Sequence, residues 1–133
     1  MKNLLIAVLL ANLCCGCATK IYRAAPALTN PKEYSEIVVI RNKSIWGSGV
    51  GIGIQLDGYK VASLSVGHHL RVKVNPGQHA VGTMSGSITL NFEPKQTYYF
   101  LSGIGMGGEQ NVERLDEVEA KKWVINSKEV PLN

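Results

Sequence analysis

Three cysteines, Cys14, Cys15 and Cys17, stand close together near the start of this 133-residue sequence, and thiols are its most reactive side chains. Thiols can form disulfides, bind metal ions or carry covalent modifications. No other cysteine follows with which these three could pair, and no Cys/His spacing of the zinc type occurs. Covalent modification of a thiol is therefore the chemistry that this cluster favours.

The residues around the cysteines indicate which thiol is modified. Lys2 provides a positively charged N-terminal region, and residues 4–13 form a short apolar run interrupted by Asn12. Gly16 directly precedes Cys17. This order is typical of a secretory signal peptide. A cysteine directly after the small residue resembles a bacterial lipoprotein signal, in which the cysteine is acylated and becomes the first residue of the mature chain. The apolar run is too short to span a hydrocarbon core of about 30 Å.

Cys17 fits this pattern better than Cys15, because neither Gly nor Ala precedes Cys15. Cys14 stands where such signals usually have Leu, Val or Ile, so plain cleavage and an uncleaved anchor stay open. We predict residues 1–16 as a lipoprotein signal peptide and Cys17 as the lipidated residue that attaches the protein to a membrane of the bacterial envelope. Ala18 stands where an inner-membrane retention signal would have Asp. In a two-membrane envelope the predicted destination is therefore the outer membrane.

The histidines and one glycine-rich loop are the other candidates for chemistry. His68 and His69 are adjacent and would point to opposite faces of a strand, while His79 stands alone. Residues 103–108 match GxGxxG, but no convincing helix follows to hold a pyrophosphate, and GxSxG does not occur. We therefore expect no metal, no cofactor and no catalytic residues, although an active site assembled from distant residues stays open.

Composition divides the chain and limits its partners. Residues 17–33, with two prolines and no sustained periodicity, predict a flexible tether before a domain at 34–128 and a C-terminal tail at 129–133. Removal of residues 1–16 removes only Lys2 among the charged residues, so the formal net charge falls from +4 to +3. The basic residues are scattered, whereas a nucleic-acid interface needs a dense patch. We expect no nucleic-acid partner.

The domain has the pattern of an all-β protein. Residues 70–75 and 88–93 alternate apolar and polar side chains, as half-buried strands do. Asp57-Gly58 predicts a tight hairpin, and residues 75–78 place Pro and Gly in the order of a type II turn. The sequence predicts an antiparallel β-sandwich of about seven strands. The predicted strands are Glu36–Asn42, Val50–Leu56, Lys60–Ser65, His69–Asn75, His79–Met84, Ser87–Phe92 and Thr97–Ile104.

One short helix is predicted near the C-terminus. Asp116 followed by Glu119 has the spacing of a capping box, and Glu117 lies one turn before Lys121. We predict a helix over 117–126 that covers the sheet. Its buried side is expected to consist of Val118, Trp123, Val124 and Ile125.

Alternating glycines mark an unusual strand. Gly47, Gly49, Gly51 and Gly53 remove the side chains from one face and leave Val50, Ile52 and Ile54 on the other. Another backbone or a ring such as Trp46 packs on the bare face, or the strand bends strongly there. The functional alternative is that the strand docks a partner chain. The residues of this candidate docking strand are Trp46, Gly49, Val50, Gly51 and Ile52.

The order of several motifs resembles a known family. Gly47-Ser48-Gly49-Val50, Leu56-Asp57-Gly58, residues 74–79 (VNPGQH) and residues 97–100 (TYYF) are similar to domain-of-unknown-function family 2846, whose members are small secreted or lipid-anchored bacterial proteins. Residues 115–120 (LDEVEA) fit the acidic segment and short helix that follow in that family. The resemblance covers about 36–128. It implies a β-sandwich lipoprotein and no particular reaction.

The function predicted from the sequence is that of a lipid-anchored binding or envelope-interaction module, with an envelope protein or polysaccharide as partner. A small envelope hydrolase acting on cell-wall or surface polymers is the alternative. A histidine and a carboxylate with perturbed pKa in a cleft would favour the hydrolase. An exposed apolar patch or an open strand edge would favour the binding module. A spacer without a ligand is a third interpretation.

Overall fold

The computed structural model describes residues 18–43, 47 and 49–133, so the predicted signal peptide, Cys17 and Trp46 lie outside the described residues. Those residues form ten strands, arranged in two five-stranded sheets, and one helix. In chain order the elements are β1 (Lys20–Ile21), β2 (Ser35–Arg41), β3 (Ile52–Leu56), β4 (Tyr59–Leu64), β5 (His68–Val74), β6 (Gly77–Thr83), β7 (Gly86–Phe92), β8 (Thr97–Ile104), β9 (Gln110–Leu115), α1 (Glu117–Val124) and β10 (Lys128–Pro131). The predicted all-β sandwich with one short helix near the C-terminus is confirmed.

The two sheets differ in how their strands run. The first sheet has the order β1-β4-β3-β6-β7 and all its pairs are antiparallel. The second has the order β10-β5-β2-β8-β9 and contains two parallel pairs, β2 with β8 and β10 with β5. The prediction of a purely antiparallel sandwich is therefore wrong for the second sheet. Local turn signals identify hairpins, whereas a parallel pair joins strands that are distant in sequence.

The central strand of the second sheet is buried on both faces. Ile37 and Val39 of β2 pack between the sheets, while Val38 and Ile40 point to the opposite side and pack against α1 and its neighbours. All four side chains are at most 1% exposed. This explains why residues 37–40 are continuously apolar instead of alternating, as expected of a strand with a hydrophobic layer on each side.

The helix begins as predicted but buries a different side. Asp116 is the N-cap and its carboxylate accepts a hydrogen bond from the Glu119 amide at 2.9 Å. Ala120 is fully buried and Trp123 packs beside it, whereas Val118 is 72% exposed. The prediction that Val118 and Ile125 are buried is wrong, because α1 ends at Val124 and turns Ala120 to the sheet. Within the described part of the chain, no helix is long and apolar enough to cross a bilayer.

Three of the ten described strands were not predicted from the sequence, namely β9 and one strand at each end of the domain. In the segment predicted as a tether, β1 pairs with β4, and the Tyr22 amide donates to the Val61 carbonyl at 2.9 Å. In the segment predicted as a tail, β10 pairs with β5 and Leu132 is 8% exposed within the core. The described part of the predicted tether, residues 18–33, is therefore not free throughout, and residues 129–133 belong to the sandwich.

The predicted turns contain residues with positive φ. The β3–β4 hairpin turns at Asp57 and Gly58, with φ of 52° and 83°. Gly77 opens β6 with a φ of 122°. The glycine loop before Gln110 closes the β8–β9 hairpin, and a strand follows it instead of the helix that a dinucleotide site requires.

Substitution of Gly77 tests the assignment of positive φ. We expect Gly77→Val to lower the free energy of unfolding by about 1–3 kcal/mol, because a β-branched residue is strained at this backbone conformation. Gly107→Ala is the matched control, since a Cβ there would meet only the movable carboxylate of Glu109. Its cost should stay below about 0.5 kcal/mol. Urea unfolding measures both values, and equal losses would contradict the assignment.

Candidate functional site

The residues of the predicted docking strand do not form one accessible surface. Gly49 and Val50 lie in the segment before β3, and Val50 is 58% exposed. Ile52 is fully buried in the core between the sheets. The prediction that Ile52 contacts a partner is therefore wrong, because its side chain stabilises the fold from inside. Trp46, the aromatic residue of the prediction, lies outside the described residues.

The bare face of the glycine strand is covered from within the chain. A Cβ at Gly51 would collide with the hydroxyl of Ser63 on β4, and a Cβ at Gly53 would meet the Lys60 side chain at 3.2 Å. The Lys60 ammonium in turn lies 4.6 Å from the centre of the Tyr22 ring. The close packing that the glycines predict is therefore present around Gly51 and Gly53. It is provided by Ser63 and Lys60, both on β4.

Arg41, at the end of β2, supports the backbone before the glycine strand from inside the protein. It is 1% exposed, and Nη2 donates to the carbonyl of Gly47 at 2.9 Å and to that of Val50 at 3.3 Å. Its Nε and Nη1 have no hydrogen-bond partner among the described residues. Burial lowers the pKa of Arg41 because desolvation disfavours the charged form. The guanidinium therefore connects the second sheet to the segment that leads into β3.

Among the described residues, His79 and Asp57 form the closest histidine–carboxylate pair, closer than His69 and Glu129. The Nδ1 atom of His79 lies 2.7 Å from Oδ2 of Asp57, and Nε2 lies 2.6 Å from the carbonyl oxygen of Asn75. The other Asp57 oxygen accepts from the Ala80 amide at 2.8 Å. Both ring nitrogens are thus engaged by acceptors, and the pair fastens the β3–β4 turn to the chain around the β5–β6 turn. These contacts support a structural role, because both ring nitrogens already lie against protein oxygens.

The adjacent histidines point to different surroundings, as predicted. His68 Nδ1 lies 2.6 Å from the hydroxyl of Thr19, whereas His69 Nδ1 lies 2.6 Å from the hydroxyl of Ser127. They do not converge on one atom. Among the residues that the structure describes, no group of three or more His, Cys, Asp or Glu side chains is arranged to hold a metal ion.

His69 belongs to a charged network on the outer side of the second sheet. Arg71, next along the same face of β5, is ion-paired to Glu36 of β2 and to Glu129 of β10. The hydrogen bond from Arg71 lowers the pKa of Glu129. Arg71 therefore joins three neighbouring strands and holds the C-terminal strand to the sheet.

The protonation of His69 is constrained by its neighbours. The Ser127 hydroxyl donates its single proton to the Val124 carbonyl at 3.0 Å, so it must accept from His69 Nδ1–H. The Nε2 atom is 3.6 Å from Glu129, beyond hydrogen-bond distance, and has no hydrogen-bond partner in the described structure. The ring is 3% exposed, and burial lowers the pKa of His69 below its usual value. The neutral imidazole is therefore the form that fits this site.

An open groove beside α1 combines apolar and charged side chains. The apolar part consists of Trp123, which packs partly against the hydrophobic layer below, and the exposed Val118. Lys43, beyond the end of β2, also lines the groove and donates to the Asn126 carbonyl at 2.8 Å. The other charged lining residues are Asp116, Glu119 and Lys122. An aromatic ring surrounded by positively and negatively charged side chains is a common composition for a binding site.

Sequence reasoning missed this groove because it assigned Val118 to the buried side of the helix. The signal was nevertheless present. Asp116, Glu119, Trp123 and Asn126 are separated by three, four and three residues, so they form one stripe along a helix. An aromatic residue on an otherwise polar stripe indicates a partly exposed contact surface.

Comparisons with known proteins give no relative from which roles for these residues could be transferred. A scan of protein-family models, a search of curated proteins and a search of solved structures each found no match to this chain. The resemblance to family 2846 therefore stays a prediction, and the functional argument depends on the residues themselves.

The burial of His69 predicts a stability that depends on pH. Because the folded-state pKa of His69 lies below its unfolded value of about 6.5, the unfolded chain binds the proton more readily as the pH falls. The stabilising contribution is complete above about pH 6.5 and decreases toward the folded-state pKa. We expect the free energy of unfolding of the wild type to be lower at pH 5.5 than at pH 7.5, by urea titration.

His69→Gln should show a smaller decrease over the same interval, since the buried titratable group is gone. Thr89→Ser, an exposed substitution on β7, is the control and should retain the wild-type dependence. The lowered pKa of Glu129 acts in the same direction but at lower pH, because its unfolded value is about 4.5. An unchanged pH dependence in His69→Gln would contradict the assignment.

Proposed function

We propose that this protein is a lipid-anchored bacterial envelope lipoprotein whose sandwich domain is a binding module. The anchor is Cys17, and the binding surface is the groove beside α1. The observation that carries the binding role is the composition of that groove, in which Trp123 and the exposed Val118 lie among charged side chains. In a two-membrane envelope, the proposed location is the outer membrane. The resemblance to family 2846 is consistent with this function.

The sequence order carries the anchor. Lys2, the apolar run and Gly16 directly before Cys17 have the arrangement of a lipoprotein signal. Acylation at Cys17 would place the lipid three residues before Lys20, with Ala18 and Thr19 between them. The hydroxyl of Thr19 accepts from the Ser65 amide at 3.1 Å, so the domain begins almost directly after the proposed anchor.

The groove suits a partner that offers both apolar and polar contacts. Trp123 and Val118 provide apolar surface. Lys43 and Lys122 are the cationic lining residues, and Asp116 and Glu119 are the anionic ones. Tryptophan combines a large apolar area with few rotatable bonds, so contacts with it cost little conformational entropy. We therefore propose an envelope protein or polysaccharide as the partner.

A hydrolase is the less favoured alternative. The histidine and carboxylate closest to each other, His79 and Asp57, are occupied in holding two turns together. A general base needs a nitrogen or oxygen that can reach the proton it removes. The contacts of this pair support a structural role instead.

Replacement of Cys17 tests the anchor. We expect wild-type protein to incorporate a fatty-acid analogue during metabolic labelling and to fractionate with membranes. Cys17→Ser should lose the label and the membrane attachment of the mature form, since several acyl chains on one residue are what anchors such a protein stably. An unlabelled wild-type protein would contradict the proposal. The domain of the variant should unfold at the wild-type urea concentration, because Cys17→Ser replaces a single side-chain atom in a residue that precedes β1.

In-cell photocrosslinking tests the groove. A photoreactive amino acid at Val118 should form a covalent adduct with the partner, and protease or glycosidase digestion would identify its class. Met106, which is 79% exposed compared with 72% for Val118, is a matched control on the β8–β9 loop. Lys122→Glu in the same groove should reduce the adduct at least threefold. Equal crosslinking from both positions, or none from Val118, would contradict the assignment of the groove.

A further inference from the structure

We infer that one edge of the sandwich is a membrane-contact surface for anionic phospholipid headgroups. The surface, called here the basic–aromatic edge, consists of Lys20, Tyr22, Arg23, Tyr59 and Lys60. It rests on the proposed lipid anchor at Cys17 and adds what the domain itself would contact. The groove beside α1 has no part in it.

The basic–aromatic edge is assembled from β1 and β4. The Arg23 guanidinium lies 4.0 Å from the centre of the Tyr59 ring, and the Lys60 ammonium lies 4.6 Å from that of Tyr22. Tyr59 is 56% exposed and Tyr22 is 55% exposed, although both are large aromatic residues. Cation–π contact therefore holds two exposed rings beside two cations.

The positive charges of this edge are not neutralised by ion pairs. In the part of the chain that the structure describes, Lys20, Arg23 and Lys60 take part in no salt bridge. Asp57 is the one acidic residue within residues 18–32 and 49–67, and its carboxylate is engaged by His79 and the Ala80 amide. The edge consequently presents three cations to an external anion.

The chain path puts this edge next to the proposed anchor. Three peptide units separate Cys17 from Lys20, so their Cα atoms are at most about 11 Å apart. Antiparallel pairing then carries the chain along β4, with Lys20 opposite Ser63 and the Tyr22 amide bonded to Val61. An acyl group on Cys17 would therefore hold the beginning of the edge within reach of the headgroup layer.

The chemistry of the edge matches a lipid surface. Tyrosine concentrates at membrane–water interfaces because its ring is apolar and its hydroxyl polar. Lysine and arginine are attracted to anionic headgroups while their aliphatic stems lie on apolar surface. A nucleic acid would share the attraction to the cations, but the exported location excludes it as the partner. The occupant is accordingly the leaflet that holds the acyl chains.

Lysine reactivity can test this contact in the intact lipidated protein. The protein, purified from envelopes, is added to preformed vesicles of phosphatidylcholine alone or with 30% phosphatidylglycerol and treated with a membrane-impermeant acetylating reagent. Mass spectrometry then gives the rate at each lysine. We expect Lys20 and Lys60 to react at least threefold more slowly on the anionic vesicles. Lys95 and Lys122, on other elements, are internal controls and should react equally on both.

Two further conditions define the contact. In 1 M NaCl, where the Debye length is about 3 Å, the difference at Lys60 should fall below twofold. The double variant Arg23→Gln/Tyr59→Ser should likewise reduce the difference in Lys60 reactivity between the two vesicle types. The control double variant Lys95→Gln/Thr89→Ser, which lies outside the basic–aromatic edge, should leave that difference unchanged.

The outcomes separate this inference from the proposed anchor. Protein that floats with neutral vesicles but shows equal lysine rates on both vesicle types would overturn the contact surface and leave the anchor intact. Protein that does not float with neutral vesicles would overturn the anchor and this inference with it. Equal slowing of acetylation at all four lysines on the anionic vesicles would also overturn the contact surface, since such a result would indicate non-specific adsorption.

Discussion

Burial of β2 on both faces is the constraint on which the rest of the structure depends. Ile37 and Val39 require a second sheet above them, and Val38 and Ile40 require α1 below. Burial of each such side chain contributes about 1.5–3 kcal/mol, so neither layer can be absent without a large loss. The pairing of β2 with β5 on one side and β8 on the other then fixes the order of the second sheet. Arg41 ends the same strand and supports the segment that leads into the first sheet.

This arrangement separates the two proposed functional surfaces. The helix covers the outer side of the second sheet, because Val38 and Ile40 face it. Lys60 lies on the outer side of the first sheet, above Gly53. A domain whose basic–aromatic edge lies on the membrane would therefore keep its groove away from that surface. Its anchor and its partner would be held on different faces of one small sandwich.

The sequence predicted the elements whose signals are local. Apolar residues alternate over residues 70–74, the Asp57-Gly58 turn is specific, and Asp116 is a typical N-cap, so these features were found. Long-range pairing has no such signal, and the parallel contact of β2 with β8 was missed.

The remaining errors have the same origin. The strand β10 contains Pro131, which is tolerated at the edge of a sheet but weakens a prediction of strand from sequence. Similarly, β1 has two residues and is recognisable only beside β4. The candidate binding site moved from the glycine strand to the groove beside α1 for a related reason. Ile52 and Val118 are both apolar, and the tertiary structure buries the first while it exposes the second.

The proposed anchor requires that the mature chain begins at an acylated Cys17. Trypsin cleaves after Lys20, so the N-terminal peptide of the mature protein would be Cys17-Ala18-Thr19-Lys20. Mass spectrometry of wild-type protein purified from envelopes measures this peptide directly. We expect a peptide that starts at Cys17 and carries the additional mass of a lipid. An unmodified Cys17 peptide, or a mature chain that starts at another residue, would contradict it.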